Sequence, residues 1–133
     1  MKRSLIVIAL LGIILAACSP APSAEIVGVW ELVSYGDPVT PALPGVDTSI
    51  EFKPDGTLVG NVGCNSLGGE YKVNADAIEF GPIMMTEMFC EATAEQESAV
   101  VAVLSGKAMF ALDGNSLTIT SADGSSVVVL VRK

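Results

Sequence analysis

The stretch Thr48-Ser49-Ile50-Glu51-Phe52-Lys53-Pro54-Asp55-Gly56-Thr57-Leu58-Val59-Gly60-Asn61-Val62 decides the fold. Ile50 and Phe52 alternate with Ser49, Glu51 and Lys53, a period of two that places apolar side chains on one face of a strand. Pro54-Asp55-Gly56 is a tight-turn signal, because glycine tolerates the positive φ such turns need. Thr57 to Val62 then returns as a second strand, and Gly60 with Gly63 predicts a bulge or a sharp curve. An antiparallel hairpin is the expected unit.

The rest of the chain repeats that unit. Upstream, Ile26 to Tyr35 is an apolar, strand-like run, followed by a loop holding Pro38, Pro41 and Pro44 that cannot continue a central strand. Downstream, Glu70–Val73 and Ala77–Phe80 flank Asn74-Ala75-Asp76, and Ile83–Met88 reads as a strand running up to Cys90. Ala108–Leu112 turns at Asp113-Gly114-Asn115 into Leu117–Thr120, and Ala122-Asp123-Gly124 turns into Val127–Val131. A single segment reads as helix. Thr93-Ala94-Glu95-Gln96 fits a capping box, Glu95 and Glu97 suit the positive end of a helix dipole, and Ala99, Val100, Val103 and Leu104 make one buried stripe. Gly106 and Lys107 suit its end. The expectation is a mainly β (α+β) domain of eight or nine short antiparallel strands, curled into an open or closed barrel with one packed α-helix.

The N-terminus carries different information. Lys2 and Arg3 precede an apolar run from Leu5 to Leu15, and Leu15-Ala16-Ala17-Cys18 leads into Ser-Pro-Ala-Pro-Ser-Ala. That is an export signal, too short for a stable membrane span, and the cysteine makes it resemble a bacterial lipoprotein signal. The resemblance implies that Cys18 is acylated and becomes the first residue of the mature protein. The chain then divides into a signal over 1–17, a lipid-anchored flexible tether over 18–25 and a domain over 26–133. Ser19 after the cysteine resembles the signal that permits outer-membrane sorting in a Gram-negative host; in a single-membrane host the address is the outer face of the cytoplasmic membrane.

Removing residues 1–17 from the 133 leaves 116, enough for one domain. Lys2 and Arg3 leave with the signal, so five cations face fifteen acids at a formal charge of −10. Such a surface argues against nucleic acid and against electrostatic adhesion to anionic lipid. Membrane attachment is therefore expected from acyl chains, each buried methylene contributing about 0.8 kcal/mol. With Cys18 lipidated, Cys64 and Cys90 form an even pair in an oxidising compartment, where a disulfide is expected. A zinc site fits worse, because two cysteines without histidine supply too few ligands, and a redox pair more often has CxxC spacing.

No catalytic constellation is legible. The chain has no histidine, which removes Ser-His-Asp and Cys-His systems, and Lys53, Lys72 and Lys107 sit in no Ser-Lys motif. Glu51, Glu70 and Glu79 fall opposite apolar neighbours on strands and read as solvated faces rather than glycosidase acids. Met84, Met85, Met88 and Met109 could suggest copper(I), yet methionine also fills irregular cores, and core packing is the expectation. The glycines from Gly63 to Gly69 lead into a strand, not into the helix that a phosphate loop requires. Trp30 is expected as a core anchor. No metal and no cofactor is expected.

Several motifs carry a family look: Trp30-Glu31-Leu32, Ile50-Glu51-Phe52, Gly63-Cys64-Asn65, Gly69-Glu70-Tyr71, Phe80-Gly81-Pro82, Thr86-Glu87-Met88-Phe89-Cys90, Glu95-Gln96-Glu97 and Gly114-Asn115-Ser116-Leu117. In this order, over roughly residues 26–132, they resemble the META/HslJ domain family. The resemblance implies a small β-rich envelope or secreted protein, associated with heat shock and antibiotic tolerance, with no agreed catalytic activity. It also implies pairing of Cys64 with Cys90. One departure is Glu91, where a proline often follows the second cysteine. The function expected is a non-enzymatic, monomeric envelope lipoprotein that supports the envelope under stress or binds an envelope protein. The alternative is a small barrel that binds an apolar or amphipathic ligand.

Overall fold

Strand β1 (Gly28–Gly36) is the seam on which the fold closes. The computed structural model describes residues 22–133; Cys18 and the export signal lie outside the described residues. A short helix α1 (Pro22–Ile26), overlapping the end of the tether read from sequence, leads into β1. There follow β2 (Thr40–Pro41), β3 (Ser49–Phe52), β4 (Thr57–Asn61), β5 (Ser66–Asn74), β6 (Ala77–Phe80) and β7 (Met84–Met85). Helix α2 (Ala94–Val103) precedes β8 (Gly106–Asp113), β9 (Ser116–Thr120) and β10 (Val127–Arg132). The sheet order is β10-β9-β8-β6-β5-β4-β3-β1, and β10 pairs back with β1. The result is a closed eight-stranded antiparallel barrel, with β2 added to β1 and β7 to β5. Closure removes the exposed edges that an open sheet of this size would leave.

The period-two pattern sets the interior. Ile50 and Phe52, Leu58, Ile78, Leu117 and Ile119, Val128 and Leu130 all point inward and are fully buried. On β1 the register shifts between Leu32 and Ser34, so Val33 is thrown outward while Leu32 and Tyr35 both face the core. The bulge expected around Gly60 is absent: β4 stays in register with both neighbours. Gly60 is instead a close approach, because a Cβ there would press on the Ser49 carbonyl oxygen. Trp30 is buried as expected, its indole Nε1 donating to the Ile26 oxygen at 2.8 Å. Arg132 lies 4.3 Å over that ring and donates to the Val27 and Glu25 oxygens, tying the chain's entry to its last strand.

The two helices sit at opposite ends of the barrel. Helix α1 stands where β1 begins, beside the β3–β4 turn and the end of β5. Helix α2 stands where β1 ends, beside Tyr35, Gly36 and the β9–β10 turn, and buries Val100, Val103 and Leu104 against the core. The nine residues of β1 separate them, about 30 Å of extended chain. Core residues run from Ile26 to Leu130, so the domain carries its own complete core.

Candidate functional site

Three distant segments meet at the α2 end: the turn Val62–Asn65, the loop 81–93 and the first turn of α2. Gln96 and Glu97 belong to that first turn and are 0% and 5% exposed. The capping box expected between Thr93 and Gln96 does not form. Thr93 makes no side-chain cap, and its hydroxyl donates to the Cys90 oxygen at 3.4 Å. Gln96 turns the other way: Nε2 donates to the Val62 oxygen at 2.6 Å and Oε1 accepts from the Leu43 amide at 2.8 Å. The competing demand explains the choice. Peptide groups of the turn and of the loop before β3 are covered and have no sheet partner, whereas helix N-terminal amides near the surface can use water.

Glu97 completes the clasp. Its Oε1 accepts from the Cys64 and Asn65 amides, each at 2.5 Å, and its Oε2 accepts from Asn65 Nδ2 at 3.0 Å. Gly63 permits this approach, since a Cβ there would stand 2.8 Å from Glu97 Cγ and Thr93 Cβ. Asn65, itself buried, carries the connection onward. Its Oδ1 accepts from Thr86 Oγ1 at 2.9 Å and from the Met88 amide at 2.8 Å, while Nδ2 also donates to the Met88 oxygen at 2.9 Å. Cys64 is joined to Cys90 by a disulfide, as expected, with Cα atoms 6.2 Å apart. No buried side-chain nitrogen or oxygen among the described residues lacks a partner.

The loop is thus held by the Thr86 hydroxyl, the Met88 peptide groups and the Cys90 disulfide, and side chains on and beside these pins face outward. Phe89 is 85% exposed, Met84 77% and Met88 57%. This corrects the expected strand Ile83–Met88 and the expected core packing of its methionines. Strand assignment extends over Met84–Met85 alone, Thr86 keeps one backbone bond to Ser66 of β5, and at Met88 the Asn65 side chain takes both backbone groups. A period-two alternation therefore has no meaning there. Met85 is the methionine of this loop that leans onto the core. Beside the loop runs an open groove of about 460 Å³, floored by Asn65 and Met85 and walled by Ala94, Ser98, Val101 and Ala102 of α2.

Elsewhere the surface offers less. A cleft of about 570 Å³ at the α1 end is lined by Ala24, Val27, Pro54 and Tyr71, with no exposed aromatic at its rim. At the β9–β10 turn the Ser121 and Ser125 hydroxyls and the Ser125 amide hold Asp123 down to about 2. Among the described residues no three Cys, Asp or Glu side chains gather as a metal site. Glu70 and Glu79 are exposed and Glu51 is half-buried, none of them in the clasp.

The motifs of the resemblance meet here in space: Gly63-Cys64-Asn65, Thr86 to Cys90 and Glu95-Gln96-Glu97 are the three parts of one clasp. A family model, the META domain, matches residues 24–133. The chain belongs to the META domain family. Similar solved structures share this fold at low identity. An NMR structure of a protein from Burkholderia xenovorans is 16% identical, with a TM-score of 0.67 over 100% of this chain and 99% of that one. A second NMR structure is 20% identical, with a TM-score of 0.67 over 84% of this chain and 95% of that one. A DUF4847 family protein from Bacteroides vulgatus, known from a crystal structure, is 14% identical, with a TM-score of 0.60 over 81% of this chain and 94% of that one. No curated protein matches this META domain. The roles of Asn65, Gln96 and Glu97 were not legible as contacts in the sequence; the motifs were the signal that could have marked them.

Proposed function

We propose that this META domain is a non-enzymatic cell-envelope lipoprotein that holds a protein partner at the barrel end away from its lipid anchor. The observation behind the reading is Phe89: a nearly fully exposed aromatic on a loop fixed by a disulfide and a buried carboxylate. An exposed aromatic gains nothing for the fold, and a loop already rigid loses little entropy on binding. The anchor would be acyl chains on Cys18, and α1 brings the chain in at the opposite end. The domain would stand on the outer membrane or the periplasmic face of a Gram-negative envelope, or on the outer face of a single membrane. There it would act in envelope support under stress, as a monomer. Binding of a small ligand inside the barrel is the weaker reading, since Trp30, Phe52, Ile50 and Leu58 fill the interior.

Two measurements test the proposal. A photo-crosslinking residue at position 89 of the full-length chain should give a discrete protein adduct in cells, absent when the probe replaces exposed Val59 on the barrel wall. No adduct at 89, or an equal one at 59, refutes the docking role. Intact mass should show residues 18–133 carrying acyl chains; an unmodified mature chain refutes the anchor.

A further inference from the structure

We propose that the cleft between α2, the β1–β2 hairpin and the β9–β10 turn binds a primary alkylammonium group. No residue of the loop 81–93 lines this cleft, so the site stands independently of the docking role given to Phe89.

Tyr35 is the buried anchor. Strand β1 delivers its ring to the core at the α2 end of the barrel, where the residue is 5% exposed. Its hydroxyl bonds to no group among the described residues. Since no buried side-chain oxygen there lacks a partner, that oxygen opens onto the cleft of about 560 Å³ that Tyr35 lines. A tyrosine sunk this deep in a core usually spends its hydroxyl on a protein partner; this one keeps it for the cleft.

The groups around the phenol are acceptors. Asp37 enters from the hairpin and Glu95 from the first turn of α2, and both are exposed. Neither carboxylate has an ion-pair partner among the described residues, and none of the five lysines and arginines there lines the cleft. The neighbouring hydroxyls have already used their protons. Thr40 Oγ1 donates to the Pro38 oxygen at 3.2 Å and Ser125 Oγ to Asp123 Oδ1 at 2.8 Å, which leaves their lone pairs free. Pro38 and Ala99, one turn beyond Glu95, supply apolar wall between these groups.

The chemistry selects the ligand. An alkylammonium brings three N–H donors and no acceptor, the complement of such a lining, and its methylenes can lie along Pro38 and Ala99. Anions meet two uncompensated carboxylates. Calcium asks for six to eight oxygen ligands, and no three acids gather here. The ammonium can belong to a free diamine or to a lysine side chain of a protein.

The test is equilibrium dialysis of radiolabelled cadaverine against the full-length protein in phosphatidylcholine nanodiscs, with empty discs as the blank. Saturable uptake of one cadaverine per domain is expected, with a Kd of about 1 mM. Tyr35→Phe, which keeps the ring in the core and the net charge, should weaken it about fivefold. Asp37→Asn with Glu95→Gln should weaken it about tenfold or more, whereas Glu70→Gln with Asp76→Asn, removing the same charge elsewhere, should change it less than about twofold. Trp30 fluorescence checks that each variant is folded. Unlabelled pentanediol should not compete, and permethylated cadaverine, charged but without an N–H donor, should compete poorly. Equal competition by the permethylated amine, indifference to Tyr35→Phe, or no saturable uptake below about 10 mM overturns the proposal. Lysine blocked at both backbone ends separates the sources: competition as strong as that of cadaverine supports the site with a protein's lysine as its ligand, and much weaker competition supports it with a free diamine.

Discussion

Glu97→Ala would strip the Cys64 and Asn65 amides of the carboxylate that accepts both of them. Asn65 Nδ2 would lose one acceptor as well but keep the Met88 oxygen. A covered donor left without a partner costs roughly 1–3 kcal/mol, and bonds to a charged acceptor lie at the upper part of that range. Cys64 is half-buried, so water can reach part of the vacated space, which places the total near 3 kcal/mol. Against a domain stability of about 5–15 kcal/mol that is a large fraction, and it lowers Tm by roughly 10–15 °C. Glu97→Gln retains an oxygen for the two amides but sets an NH2 against Asn65 Nδ2, so it should cost about 1–2 kcal/mol. The assay is equilibrium urea unfolding of residues 22–133 made in an oxidising compartment, followed by fluorescence of Trp30, the chain's one tryptophan. The m-value should stay constant while the midpoint falls. The Ala cost should also shrink once Cys64 and Cys90 are replaced, because both devices hold the same turn. An Ala cost under about 1 kcal/mol, or a Gln cost equal to it, would falsify the clasp as described.

Replacing both Cys64 and Cys90 by alanine opens a loop with a sequence separation of 26, and chain entropy puts the loss near 3.5 kcal/mol, measurable by the same titration. Phe89→Ser should change stability by less than about 0.5 kcal/mol, since the ring is exposed; a larger loss would mean that it packs on the domain after all. Asp123 titrates at about 2, below its ordinary 3.8, so the turn's ionic contribution is complete above pH 3.8 and is lost as pH falls toward 2. Carboxyl NMR should show that midpoint, and Ser121→Ala with Ser125→Ala should return it toward the ordinary value.

Much of the fold was legible because it is written in short-range terms. Alternation of apolar side chains marks Ile50 and Phe52, Leu117 and Ile119, Val128 and Leu130 as inward positions, and each is buried. The Asp-Gly turns at residues 55–56, 113–114 and 123–124 each place a glycine at positive φ. The site was less legible. Met84 and Met88 sit in a segment whose alternation resembles a strand, yet at Met88 the side chain of Asn65, 23 residues away, takes over the backbone hydrogen bonds. Gln96 carries a local capping signal that was real but outcompeted by Val62 and Leu43.

By itself, the sequence determined most of the strands, their turns, helix α2, the cysteine pair and the acidic character of the domain, since period, glycine placement and charge act within a few residues. Tertiary structure alone decided that the sheet closes through β1 and β10, on partners such as Trp30 and Arg132 at the two ends of the chain. It alone turned Glu97 onto amides 32 and 33 residues away, and so exposed Phe89. The physical reason is the same in both cases. A hydrogen-bonding group takes the partner that leaves the fewest covered peptide groups unsatisfied across the whole fold, and that competition is decided only when distant segments meet.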